Sequence, residues 1–160
     1  MKLHLLLSVA VINIVSSAQA AQPVEPVPSK YFAGSVSRDV ASALKRSATE
    51  HRPVWIVAWD DTFFHSTQGR SSDVTDYALG YFYQNPETKK LVAQNFITVF
   101  TTLRNPAISS WIDASDKSHR PLFIVVDSSG KMLTRQPHTA NPDGGLKAVQ
   151  DAVAVLPPAQ

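Results

Sequence analysis

The stretch VWIVAWDDTFFHS, Val54 to Ser66, decides how this chain is read. Its first six residues, Val54 to Trp59, are apolar without interruption and rich in β-branched and aromatic types; Pro53 bounds them on one side, Asp60 and Asp61 on the other. A short apolar run with no polar alternation predicts a strand buried on both faces, in the middle of a sheet. Beyond the two acids comes a short aromatic and polar stretch, Phe63, Phe64, His65 and Ser66.

Before this strand, SVSRDVASALKRSATEHR predicts an amphipathic helix. Ser37 serves as its N-cap, Asp39 lies in its first turn, and Val40, Ala43, Leu44 and Ala48 share one face until His51, Arg52 and Pro53 stop it. After the strand, SSDVTDYALGYFYQN places Val74, Tyr77, Ala78, Tyr81 and Phe82 at helical spacing, and Tyr77, Tyr81, Phe82 and Tyr83 are expected to pack with the helix, their hydroxyls at the rim. NPETKKLVAQN opens a further helix, capped by Asn85 with Pro86 in its first turn and Asn95 at its end. FITVFTT, residues 96–102, is a second strand, and NPAISSWID a short helix or turn. In RPLFIVVDSSGKMLTR, Leu122 to Asp127 and Lys131 to Arg135 form a hairpin about the turn Ser128 to Gly130. Last, GGLKAVQDAVAVLPP sets Leu146, Val149, Val153 and Leu156 on one side of a helix that Pro157 and Pro158 end. Helices alternating with strands imply an α/β layer fold with parallel strands first and an antiparallel hairpin at the end.

The first twenty residues carry a different pattern. Lys2 precedes an apolar stretch from Leu5 to Val15, and SSAQA supplies small residues at Ala18 and Ala20, the pattern a signal peptidase reads. The expected organisation is a signal peptide over 1–20, a Pro-rich tether over 21–36 with three prolines in AQPVEPVPS, a single domain over 37–156 and a tail over 157–160. The expected location is the periplasm of a Gram-negative bacterium or the extracellular space, with no stable membrane span once the leader is removed. Without the leader, 14 basic residues stand against 13 acidic ones and no basic stripe is present, which argues against a nucleic acid partner.

Cysteine is absent from all 160 residues. That excludes thiol–disulfide exchange, thiolate metal ligation, peroxide reduction by cysteine and a lipoprotein anchor on an acylated cysteine, because each needs the cysteine sulfur.

The order of elements, with four landmarks, resembles the thioredoxin-like superfamily over residues 37–156. RPVWIVAW is similar to that family's first central strand, which ends in an aromatic before the active-site turn. NPETKKLVAQNFITVF is similar to the helix and second strand of its periplasmic members, Pro121 of RPLFIVVD sits where they carry a cis-proline, and DSSGKML matches their hairpin turn. The resemblance implies a three-layer α/β/α sandwich around a central mixed sheet, closed by a C-terminal β-hairpin and a terminal helix. It puts the two family cysteines on Phe63 and Ser66, and the family's buried carboxylate on Val57, so the redox apparatus is missing. A cis bond before Pro121 would leave the Arg120 backbone free to hold an extended peptide beside Trp59.

The expected function is an exported, non-catalytic binding module for a protein or peptide, engaging it through Trp59, Asp60, Asp61, Phe63, Phe64, His65, Ser66, Arg120 and Pro121. No catalytic residue, metal or cofactor is assigned. The spacing of Asp60, Asp61 and His65 matches no metal motif, and His65 beside Ser66 lacks the G-x-S-x-G turn of a hydrolase. Phe63 and Phe64 either line a binding surface or cover the end of the sheet. The alternatives are a glutathione-binding or transferase-like enzyme using a hydroxyl, and a structural subunit of a secretion or conjugation apparatus.

Overall fold

The computed structural model describes residues 26–61, 64–65, 69–113, 116 and 120–156. The expected signal peptide, the first residues of the tether and the tail from Pro157 lie outside them.

The elements follow the chain as β1 (Val36–Ser37), α1 (Val40–Glu50), β2 (Val54–Trp59), β3 (Phe64–His65), β4 (Gly69–Arg70), α2 (Ser71–Phe82), α3 (Pro86–Asn95), β5 (Ile97–Thr102), β6 (Leu122–Val126), β7 (Met132–Pro137) and α4 (Pro142–Ala154), with a 3-10 turn over Pro106–Trp111. Five strands form one sheet in the order β1-β5-β2-β6-β7. β2 lies at its centre, parallel to β5 in the register Val54↔Ile97 to Trp59↔Thr102 and antiparallel to β6 in the register Val54↔Val126 to Ala58↔Leu122. All six β2 side chains are buried, as a strand covered on both faces must be.

The alternation of β2 sorts its residues onto two cores. Val54, Ile56 and Ala58 face Val40 and Ala43 of α1, together with Ile108 from the 3-10 turn. Trp55, Val57 and Trp59 face the other layer, with Leu79, Phe82 and Tyr83 following α2, Val92 of α3, and Ala148, Val149 and Ala152 of α4. Helices thus cover both faces, giving an α/β/α sandwich.

Several expectations are corrected. The helix cap of α1 is Asp39, whose carboxylate accepts from the Ser42 amide at 3.1 Å, while Ser37 belongs to β1. The hydroxyl of Ser37 instead bonds to Asp39 from outside the helix. The packed domain begins before residue 37: Tyr31 and Phe32 enter the aromatic core, β1 joins the edge of the sheet, and Tyr31 and Lys30 both bond to Asp76 of α2. Two aromatics beside the prolines gain more from burial than an extended linker gains in freedom.

On α2 the buried stripe is Thr75, Ala78, Leu79 and Phe82, whereas Tyr77 and Tyr81 are exposed and lie against each other with ring centroids 4.7 Å apart. The aromatic that turns inward is Tyr83, just past the helix, and its hydroxyl sits in the core instead of at the rim. On α4 the fully covered residues are Gly145, Ala148, Val149 and Ala152, with Val153 and Leu156 only partly buried. Small residues dominate there because α4 approaches α2 closely: a Cβ on Gly145 would lie 2.2 Å from the Phe82 carbonyl oxygen.

Candidate functional site

Parallel β2 and β5 end side by side, and antiparallel β6 starts at the same level. The residues leaving these ends therefore share one rim of the sheet, outside the carboxyl ends of the parallel strands, where open α/β sheets generally bind ligands. Trp59, Asp60, Asp61, Arg120 and Pro121 meet here, with Pro121 one position beyond the Ala58↔Leu122 pair and so alongside Trp59. Phe64 and His65 form β3, whose backbone pairs with β4 through Phe64↔Arg70 and His65↔Gly69. This small hairpin stands between β2 and α2, so α2 starts only at Ser71. Phe63 and Ser66 lie outside the described residues.

The sequence did not single out Arg104, which the rim adds. Its guanidinium donates from Nε and Nη2 to the two carboxylate oxygens of Asp61 at 2.9 and 2.6 Å, joining the loop after β2 to the loop after β5. The Trp59 carbonyl accepts from the Leu103 amide at 2.8 Å, a second tie between the same loops. Asp61 holds the Arg104 proton more firmly than usual, with Asp60 adding to the effect. Arg104 is 64% exposed, so the pair positions the loops and contributes little to stability. A bidentate Asp61 is thus committed to a guanidinium, and among the described residues no three His, Asp or Glu side chains gather closely enough to hold a metal.

The Arg120–Pro121 peptide is trans, since no cis bond occurs among the described residues. The free Arg120 backbone that the resemblance implied therefore loses its basis. What the structure supplies at Pro121 is a different constraint. The carbonyl of Pro121 accepts from the backbone amide of His138 at 2.7 Å and from the His138 ring at Nδ1, 3.0 Å away. The other ring nitrogen, Nε2, lies 3.1 Å from the Tyr83 hydroxyl, which itself accepts from the Trp55 indole at 2.8 Å.

The donor inventory settles every proton in this chain of bonds. An indole can only donate and a carbonyl can only accept. Tyr83 therefore receives the Trp55 hydrogen and passes its own to Nε2, leaving the neutral His138 ring protonated at Nδ1. Trp55, Tyr83 and His138 are all buried to within 1% of full coverage, so every link is dry. Burial lowers the His138 pKa to about 3, against the opposing effect of the hydrogen bond to the Pro121 carbonyl. Burial likewise raises the Tyr83 hydroxyl well above its usual range. Trp59 contrasts with Trp55. It is nearly as enclosed, yet among the described residues its indole N–H has no acceptor.

No protein-family model matches the sequence, and comparison with curated proteins finds no match. Among solved structures, the chain is similar to one titled DsbH oxidoreductase at 17% identity, with a TM-score of 0.53 over 88% of this chain and 94% of that one. A disulphide isomerase from Xylella fastidiosa is also matched, at 20% identity and a TM-score of 0.44, over 76% of this chain and 97% of that one. The fold is thioredoxin-like, and the chain is a cysteine-free example of it.

Proposed function

We propose that this protein is an exported, non-redox thioredoxin-like module that engages a protein or peptide partner in the cell envelope, in the periplasm or outside the cell, through the rim of residues 60–66 and 120–121. The observation that carries the reading is the absence of cysteine from the whole chain beneath a fold used elsewhere for thiol chemistry. Without a thiolate no disulfide can be attacked, and the surface that presented it retains only a recognition role.

The test is a photo-crosslinking amino acid placed at position 120, compared with one at Lys45 on the exposed side of α1. Partners captured from the native envelope only at position 120, and lost with Phe63→Ala and Phe64→Ala, would support the rim. Equal capture at both positions would sink it. The mass of the exported protein tests the leader: an N-terminus at Ala21 is expected.

A further inference from the structure

The dry chain from Trp55 to Pro121 touches the rim only at its Pro121 end, and it connects β2, the end of α2, the start of β6 and the β7–α4 connection. Its hydrogens can be arranged in only one way while His138 is neutral. If Nε2 gains a proton it becomes a donor facing a hydroxyl that already donates to it. Tyr83 must then turn, accept from both Trp55 and His138, and leave its own hydrogen with no acceptor among the Phe82, Phe123 and His138 rings. The ring would also carry a charge with no counter-ion.

The surroundings of His138 offer no relief. From α2 it meets the Phe82 ring at 4.5 Å and Tyr83 at 5.6 Å, and from β6 the Phe123 ring at 5.4 Å. Among the described residues, Tyr83 is the titratable group that faces it. On α2, Asp76 is engaged with Lys30 and Tyr31; on β7, Arg135 is engaged with Asp113, Asp116 and the Trp111 carbonyl; on α4, Asp143 and Lys147 are exposed. A charged His138 is therefore relieved only by reaching water. His138 opens the short connection to α4, whose seat on α2 is the close approach of Gly145 to the Phe82 carbonyl.

The geometry points to an acid-released latch: protonation of His138 frees the 138–141 connection, lifts α4 from α2 and loosens the carbonyl of Pro121 at the rim. The latch holds independently of what the rim binds. Its pH window follows from the ring being neutral when closed and ordinary when open. The open form has a pKa near 6.5 and the closed form about 3, so the open form binds more protons between these values. Closure is thus fully favoured above pH 6.5 and weakens as pH falls. Opening should rise about tenfold for each pH unit below 6.5, or on the order of 100-fold by pH 4.5.

Hydrogen exchange of the mature chain at pH 7, 5.5 and 4.5, corrected for intrinsic rates, tests this. The expected result is an acid-dependent loss of protection in residues 138–156 and at the end of α2, with β2 and β5 unchanged. His138→Gln should abolish the pH dependence of that opening. Opening that ignores pH, or that strikes all strands equally, would overturn the latch. Should His138→Gln fail to fold, nitrogen NMR of the wild-type ring decides. A neutral Nδ1–H ring persisting below pH 5 supports the proposal, and a ring that titrates near 6.5 in the closed fold refutes it.

Discussion

On the face of the sheet covered by α1, the buried hydrophobic cluster consists of Val, Ile and Ala alone; in the cluster on the opposite face, nine of the sixteen buried residues are aromatic. The aliphatic face is held by burial alone, which is non-directional and tolerant of exchange. The aromatic face adds requirements of orientation. Trp55 stacks on Phe123 at 4.5 Å and 10° while its N–H is aimed at Tyr83, so one residue must satisfy two geometries together. The difference teaches that the two layers share a sheet but not a sensitivity: one responds to lost volume, the other to lost volume, lost hydrogen bonds and acid.

Substitution can test that contrast directly. Trp55→Ala should be the most damaging change, at about 5 kcal/mol, because it removes a large buried ring and the donor to Tyr83. Ile56→Ala, its neighbour on the aliphatic face, should cost about 3 kcal/mol, measured by urea denaturation. The sharper readout is the pH profile. Lowering pH from 7 to 5 should cost the wild type and Ile56→Ala the same further amount, roughly 2 kcal/mol from His138 alone. Carboxylates whose pKa is depressed, Asp39 by its bonds from Ser42 and Glu50 by its bond from Arg46, stay ionised in this window, and His138→Gln measures the share due to this one imidazole.

Gly145→Ala should follow, at about 3 kcal/mol, since its Cβ cannot coexist with the Phe82 carbonyl and α4 must move. An unchanged melting temperature would show that the α2–α4 contact is slack. Tyr83→Phe preserves the ring and strands the Trp55 N–H and the His138 Nε2; about 2 kcal/mol is expected, with the largest loss of exchange protection around 138–141. At the small end, Asp61→Asn should change stability by no more than about 0.5 kcal/mol, as befits a pair whose guanidinium is mostly in water. Its effect should fall on partner capture instead, through the loop that Arg104 holds.

What could be read from the sequence follows the range of the forces involved. β2 and the β6–β7 hairpin were legible because their signal lies within a few consecutive residues, an unbroken apolar run and a D-x-x-G turn. The trace of β3 and β4 was not, because two residues are too few to show a period. Helical spacing found α2 but did not separate its tyrosines: Tyr77 and Tyr81 are exposed and share a face with each other, while Tyr83 is turned inward, hydroxyl included, by partners 28 and 55 residues away. His138 carried no local mark at all, as a lone imidazole between a Pro and a Thr. Of the rim, the meeting of Trp59 with Pro121 was foreseeable from element order, whereas the Arg104 clamp joins positions 43 apart and needed coordinates.

The outermost strand has a consequence of its own. β7 is an edge strand, with no strand paired to its outer side among the described residues, the kind of border on which other chains can add themselves and grow fibres. Here that border is spoiled three times over. A register shift between Val125 and Val126 puts a step in its line, Arg135 is pulled towards Trp111 and Asp113, and Pro137 removes an amide at its end. A chain with no covalent staples can therefore open transiently in acid and close again without seeding a precipitate from that margin.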